Sequence, residues 1–122
     1  MNKVAFSFLF SASIYLALGM VFGIYMGVAD DRSLSPAHGH LNLFGWVTLA
    51  LFGLFYQVVP AAADRLGNIH FWLSTAAVWV FVPGIALAFM GVSEFLVVLG
   101  SFMALASLLM FLFIVWRSRN AT

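Results

Sequence analysis

Four runs of apolar residues separated by three short polar interruptions organise this chain. They cover about Val4–Val28, His38–Pro60, Ile69–Met90 and Phe95–Trp116. Each is close to the ~20 residues an α-helix needs to cross a bilayer core. The first interruption, Asp30-Asp31-Arg32-Ser33-Leu34-Ser35-Pro36, supplies Ser35 as an N-cap and Pro36 as the first helical residue. Ala61–Asn68 makes the second link and Gly91-Val92-Ser93-Glu94 the third. Short links make neighbouring helices antiparallel. The pattern therefore predicts an all-α polytopic membrane protein, one domain over residues 1–122, with four transmembrane helices in an up-down bundle or arc.

Composition agrees. The chain is 65% hydrophobic and 7% charged, where a soluble domain carries about 25% charge. A net charge of +1 gives nothing for nucleic acid to bind, and the partner implied is the lipid bilayer. There is no cysteine, which excludes disulfides, thiolate metal sites, iron–sulfur clusters and covalent haem attachment. Any metal must be held by His, carboxylate, Met or backbone, and the Met residues are not clustered. Lys3, Arg65, Arg117 and Arg119 fall on one side of the predicted bundle, and Arg32 alone on the other beside Asp30, Asp31 and Glu94. The positive-inside rule then places both termini in the cytoplasm of a cell whose inner (plasma) membrane holds the protein. The first apolar run is too long for a cleaved signal peptide.

The candidate chemistry lies at the outer entrance of the second helix, in Ala37-His38-Gly39-His40. Ionisable side chains at membrane depth are costly and mark function by default. Residues two apart on a helix lie about 200° apart around its axis. His38 and His40 therefore serve two sites, one on each side, rather than chelating one metal. Gly39 removes bulk where a flat ligand or another backbone would approach. Imidazole ligates metals and haem iron, and snorkelling to the headgroups is the simpler alternative. Asn42, one turn after His38, can fix the imidazole tautomer or bond another helix.

His70 opens the third helix about 33 Å from the pair, the length of the second helix at ~1.5 Å per residue. It cannot join their site in one chain, and beside Trp72 it reads as an interfacial anchor with a packing role. Gly19, Gly23 and Gly27 form a small-residue ridge, and Gly45 and Gly53 share one side of the second helix. Close helix packing and a smooth wall for a planar cofactor are both open for these glycines. Tyr56 and Gln57 are polar exceptions near the inner end of the second helix. The acidic outer loops are solvated or meet a basic redox partner on the outer side.

The stretch from His38 to Trp72 resembles the tenth and eleventh transmembrane helices of the haem–copper oxidase catalytic subunit (subunit I), above all the cbb3-type oxidases and nitric oxide reductases. The shared residues are His38-Gly39-His40, Gly45-Trp46, Phe52-Gly53, Tyr56, Val59-Pro60 and His70-Phe71-Trp72-Leu73. They span about a third of the chain. The resemblance implies that the two histidines ligate two haems on opposite helix faces, with Gly39, Asn42, Gly45 and Trp46 against the cofactor. This chain lacks the family's adjacent His-His pair and offers only Pro83-Gly84-Ile85 in its third helix. That argues against copper, and with it against oxygen or nitric oxide reduction as an enzyme.

The family's subunit has twelve helices in three arcs of four, so three copies of this chain would rebuild it as a twelve-helix homotrimer. His38 of one copy would then meet His40 of the next across a haem b. Three functions follow as expectations. The first is a b-type cytochrome for electron transfer or redox sensing, with bis-histidine iron. The second is a five-coordinate haem protein that binds or reduces a diatomic gas, with His38 as sole ligand and His40 idle. The third is a non-haem accessory subunit of a respiratory complex.

Overall fold

A computed structural model describes residues 1–121. It is all-α, with α1 Lys3–Ala29, α2 Ser35–Val58, α3 Arg65–Phe89 and α4 Phe95–Arg117, each long and apolar enough to cross a membrane. A 3-10 turn, Pro60–Ala62, joins α2 to α3. Two helix starts follow from capping side chains. Asn2 accepts from the Ala5 N–H at 2.8 Å, and Asp64 accepts from the Gly67 N–H at 3.2 Å. The Asp64 cap starts α3 at Arg65, so the second link is shorter than the sequence suggests. α1 stops at Asp30, whose backbone is left-handed at φ 50°.

Ser35 does not cap α2. Leu34 holds that position, and the Ser35 hydroxyl donates to the Arg32 carbonyl at 2.8 Å. A residue earlier in the chain therefore ends the link, and Pro36 still falls in the first turn, where its missing N–H costs nothing.

Aromatic packing builds the core. Phe8 of α1 is fully buried; its ring stacks on Tyr56 at 5.5 Å and meets Phe52 and Phe71 edge-on. Asn2, before α1, donates to the carbonyl of Tyr56, near the end of α2, at 2.8 Å. Phe81 of α3 meets His40 near the start of α2, and His70 near the start of α3 meets Tyr56. Asp64 before α3 pairs with Arg117 at the end of α4, N to O 3.1 Å.

Two glycines bring α3 and α4 together at backbone distance. A Cβ on Gly84 would lie 2.6 Å from the Leu96 carbonyl carbon and the Val97 nitrogen. One on Gly100 would lie 2.7 Å from the Phe81 nitrogen. Backbone thus meets backbone between α3 and α4. Outward faces are apolar: Phe102 on α4 is 67% exposed and Val21 on α1 is 65% exposed. That is the reverse of a water-facing surface and suits lipid.

Candidate functional site

His38 and His40 both stand in the α-helical first turns of α2, Ser35–His40. The 200° argument therefore applies to them directly, and the two rings do diverge. His38 turns toward α1. Its Nε2 lies 3.0 Å from the Gly19 carbonyl, and its ring meets Phe22 edge-on at 5.6 Å. Gly23 makes room for it, since a Cβ there would sit 3.0 Å from Nε2. His40 turns the other way and is exposed, with Phe81 of α3 edge-on at 5.3 Å.

The hydrogen bonds distinguish the two rings. His40 Nδ1 lies 2.8 Å from the Pro36 carbonyl, which can only accept, so Nδ1 carries the proton. In the neutral ring Nε2 is then a bare lone pair. Metal-bound histidines commonly take this form, with the other ring N–H donated to a carbonyl. His38 has its Nε2 engaged instead. The same logic makes Nε2–H the donor to Gly19, yet the Asn42 amide nitrogen lies 3.2 Å from that atom. One tautomer satisfies one contact. Asn42 Oδ1 is buried with no hydrogen-bond partner among the described residues. The His38–Asn42 pair is therefore incompletely satisfied as it lies, although the i, i+4 spacing does bring the two side chains together.

Directly after His40 the helix widens. Leu41–Thr48 is a π-helix, and the Thr48 hydroxyl donates to the Leu43 carbonyl, five residues back, at 2.8 Å. Asn42, Gly45 and Trp46 all lie in it. Such segments in α-helices occur often at functional sites. No periodicity in the sequence marks it.

The glycines resolve toward packing. Gly19 faces the Asn42 side chain and Gly23 faces His38; Gly45 faces Tyr15, and Gly53 faces Phe8 and Leu9. These four let α1 and α2 approach. Gly27 and Gly39 have nothing within 4 Å of an added Cβ among the described residues. Of the candidate cofactor walls, only the open space at Gly39 adjoins the exposed His40.

His70 is not an interfacial anchor. It is fully buried, while Trp72 is 62% exposed. Phe8, Phe52 and Phe111 surround the ring. The Tyr56 hydroxyl donates to Nδ1 at 2.9 Å, and Nε2–H donates to the Ser107 carbonyl at 3.1 Å. Ser74 and Ser107 share a further bond at 2.6 Å. One imidazole thus ties α2, α3 and α4 together. Tyr56 stood out in the sequence as a polar exception, but its pairing with His70 depends on where Asp64 starts α3.

A second polar group was not anticipated. Tyr15 of α1 bonds Thr75 of α3 at 2.6 Å and accepts from the Trp79 indole N–H at 3.1 Å. Shallow apolar clefts of about 120, 210 and 360 Å³ open on the surface, and none of these three is lined by His38 or His40. No group of three or more His, Cys, Asp or Glu that could hold a metal ion occurs among the described residues. Comparison with known proteins adds no support: no protein-family model, curated protein or solved structure matches the chain.

Proposed function

We propose that this protein is a membrane b-type cytochrome that holds haem b through His40 of one copy and His38 of the next. The observation that carries the reading is His40. Its Nδ1 is tied to Pro36, its Nε2 lone pair is free, and the ring is exposed beside the open space at Gly39. His40 would be able to hold the iron as it stands. His38 fits once its ring turns away from Gly19, and the unpartnered Asn42 Oδ1 beside it marks that pair as incompletely bonded. Neither histidine lines the three clefts described above, which supports completion of the site by a second copy. The end-to-start contacts of successive helices support an up-down arrangement. Among closed rings, the three four-helix arcs of the subunit this chain resembles favour a trimer. The basic residues support cytoplasmic termini.

Bound haem supplies a one-electron couple whose potential is set by its axial ligands, hydrogen bonding and burial. His40 would offer Nε2 while Pro36 keeps the proton on Nδ1 and fixes the ring. Asn42 would orient the His38 ring. The apolar outer faces keep water from the membrane-facing side. Ligation by two histidines would leave the iron no free position, which favours electron transfer or redox sensing over ligand activation.

One observation favours a second reading. His38 is held by Gly19, so His40 alone could bind, giving five-coordinate iron open to a diatomic gas. This exchanges the roles expected from the sequence, where His38 was the sole ligand. Absorption spectra of protein made with ample haem decide. Sharp reduced bands insensitive to carbon monoxide support the first reading, and a carbon monoxide shift supports the second. No Soret band would refute both and leave the non-haem accessory role.

A further inference from the structure

The Tyr15–Thr75–Trp79 group stands apart from both histidines and has one hydrogen too many. It holds three donor hydrogens, on the Trp79 indole, the Tyr15 hydroxyl and the Thr75 hydroxyl, and makes two bonds. The indole hydrogen goes to Tyr15, and a single hydroxyl hydrogen lies between Tyr15 and Thr75. Whichever oxygen donates there, one hydroxyl hydrogen is left over. Serine and threonine in a helix commonly give that hydrogen to the carbonyl one turn back, as Ser13 and Ser101 do at 2.8 and 2.6 Å. Thr75 makes no such bond among the described residues.

A cleft of about 360 Å³ lies against this group, walled by Ser11 and Tyr15 of α1 and by Phe71, Trp72, Thr75 and Trp79 of α3. Tyr15 and Thr75 both line it, but Tyr15 is 4% exposed whereas Thr75 is half-buried and the more accessible of the two. The spare hydrogen that can reach the cleft is therefore that of Thr75. Both residues sit near the middles of their helices, Lys3–Ala29 and Arg65–Phe89. Half of a ~30 Å hydrocarbon core separates that depth from phospholipid ester carbonyls and from water. An unmet donor in hydrocarbon is costly. A molecule dissolved in the bilayer core can supply the missing acceptor at this depth, and two indoles beside it favour a flat ring.

We propose that this cleft binds a lipid-soluble quinone, one ring carbonyl accepting from the Thr75 hydroxyl while the ring lies against Trp72 and Trp79. The volume is at the lower end of the ~300–1,000 Å³ of small-molecule sites, sufficient for a ring whose tail remains in lipid. The site needs no haem, so it stands or falls apart from the cytochrome reading.

The test uses the full chain in lipid nanodiscs, as purified, titrated with decyl-ubiquinone while tryptophan fluorescence is read. Saturable quenching is expected. Thr75→Val should weaken binding about tenfold, the loss of one hydrogen bond, and Thr75→Ser should restore it to within about twofold. Quenching that never saturates, or equal affinity in Thr75→Val, would overturn the proposal. So would a fall in native mass in Thr75→Val without quinone binding, which would put a second copy in the cleft. If Thr75→Val does not fold, an azidoquinone photolysed on the wild-type protein should label the Phe71–Trp79 stretch. Labelling confined to other segments would overturn the proposal equally.

Discussion

Replacing Gly84 by alanine should loosen the α3–α4 pair. The new Cβ would lie 2.6 Å from the Leu96 carbonyl carbon and the Val97 nitrogen, where ordinary contact begins at 3.4 Å. The obstacle is backbone, so no rotamer change relieves it, and the helices must part by roughly 0.8 Å there. Forcing a methyl into a packed interface costs about 1–3 kcal/mol. Parting also strains the Ser74–Ser107 bond at 2.6 Å and the His70–Ser107 bond at 3.1 Å, each worth about 0.6 kcal/mol in a membrane interior. Alanine regains up to ~1 kcal/mol of helix propensity. The net loss is therefore about 1–3 kcal/mol. Gly27→Ala is the control: nothing lies within 4 Å of its Cβ, so it should be neutral or stabilising by up to ~1 kcal/mol. Unfolding in mixed SDS micelles, followed by far-UV circular dichroism, measures both. A Gly84→Ala protein as stable as Gly27→Ala would show that α3 and α4 do not meet at backbone distance.

Three other outcomes are expected. Tyr56→Phe keeps the stack on Phe8 but leaves His70 Nδ1 without its donor, and should cost about 1–2 kcal/mol in the same assay; no change would mean the bond carries no energy. Partial burial raises the Asp64 carboxyl pKa, but bonds from Arg117 and the Gly67 N–H outweigh this and hold it below its ordinary value of 3.8. Its stabilisation is thus present above that value and lost as pH falls through the lower folded value, so the stability gap between wild type and Asp64→Asn should close as pH drops below about 4; a constant gap from pH 6 to 3 contradicts this. Gly39→Leu should fold normally, since the position opens onto free space, yet lose haem absorbance if the cofactor passes over Gly39.

The four helices were legible because lipid demands long apolar runs, and the runs of this chain give their extents to within a few residues. The ends were less legible. Asp64 starts α3 early through a side-chain bond, whereas Ser35 spends its hydroxyl on Arg32 and leaves the capping position to Leu34. The divergence of His38 and His40 followed from helical spacing alone, because both precede the π segment. That segment depends on the seating of α2 against α1, and no residue type announces it. The buried state of His70 was hidden for a similar reason: its partners, Tyr56 and Ser107, come from two other helices. Gly84 and Gly100 lack the spacing of four that marked the ridge on α1, although they bring backbone against backbone where the ridge meets side chains.

A mixing experiment decides whether two copies share one haem. His38→Ala and His40→Ala are each expressed alone, then together with separable tags, and reduced spectra are recorded with ample haem. Each variant alone should lack the six-coordinate spectrum. Random co-assembly in a ring should restore it at about a quarter of the interfaces, where an intact His38 meets an intact His40. A six-coordinate spectrum that survives in either single variant, or no recovery in the mixed assembly, would contradict the account.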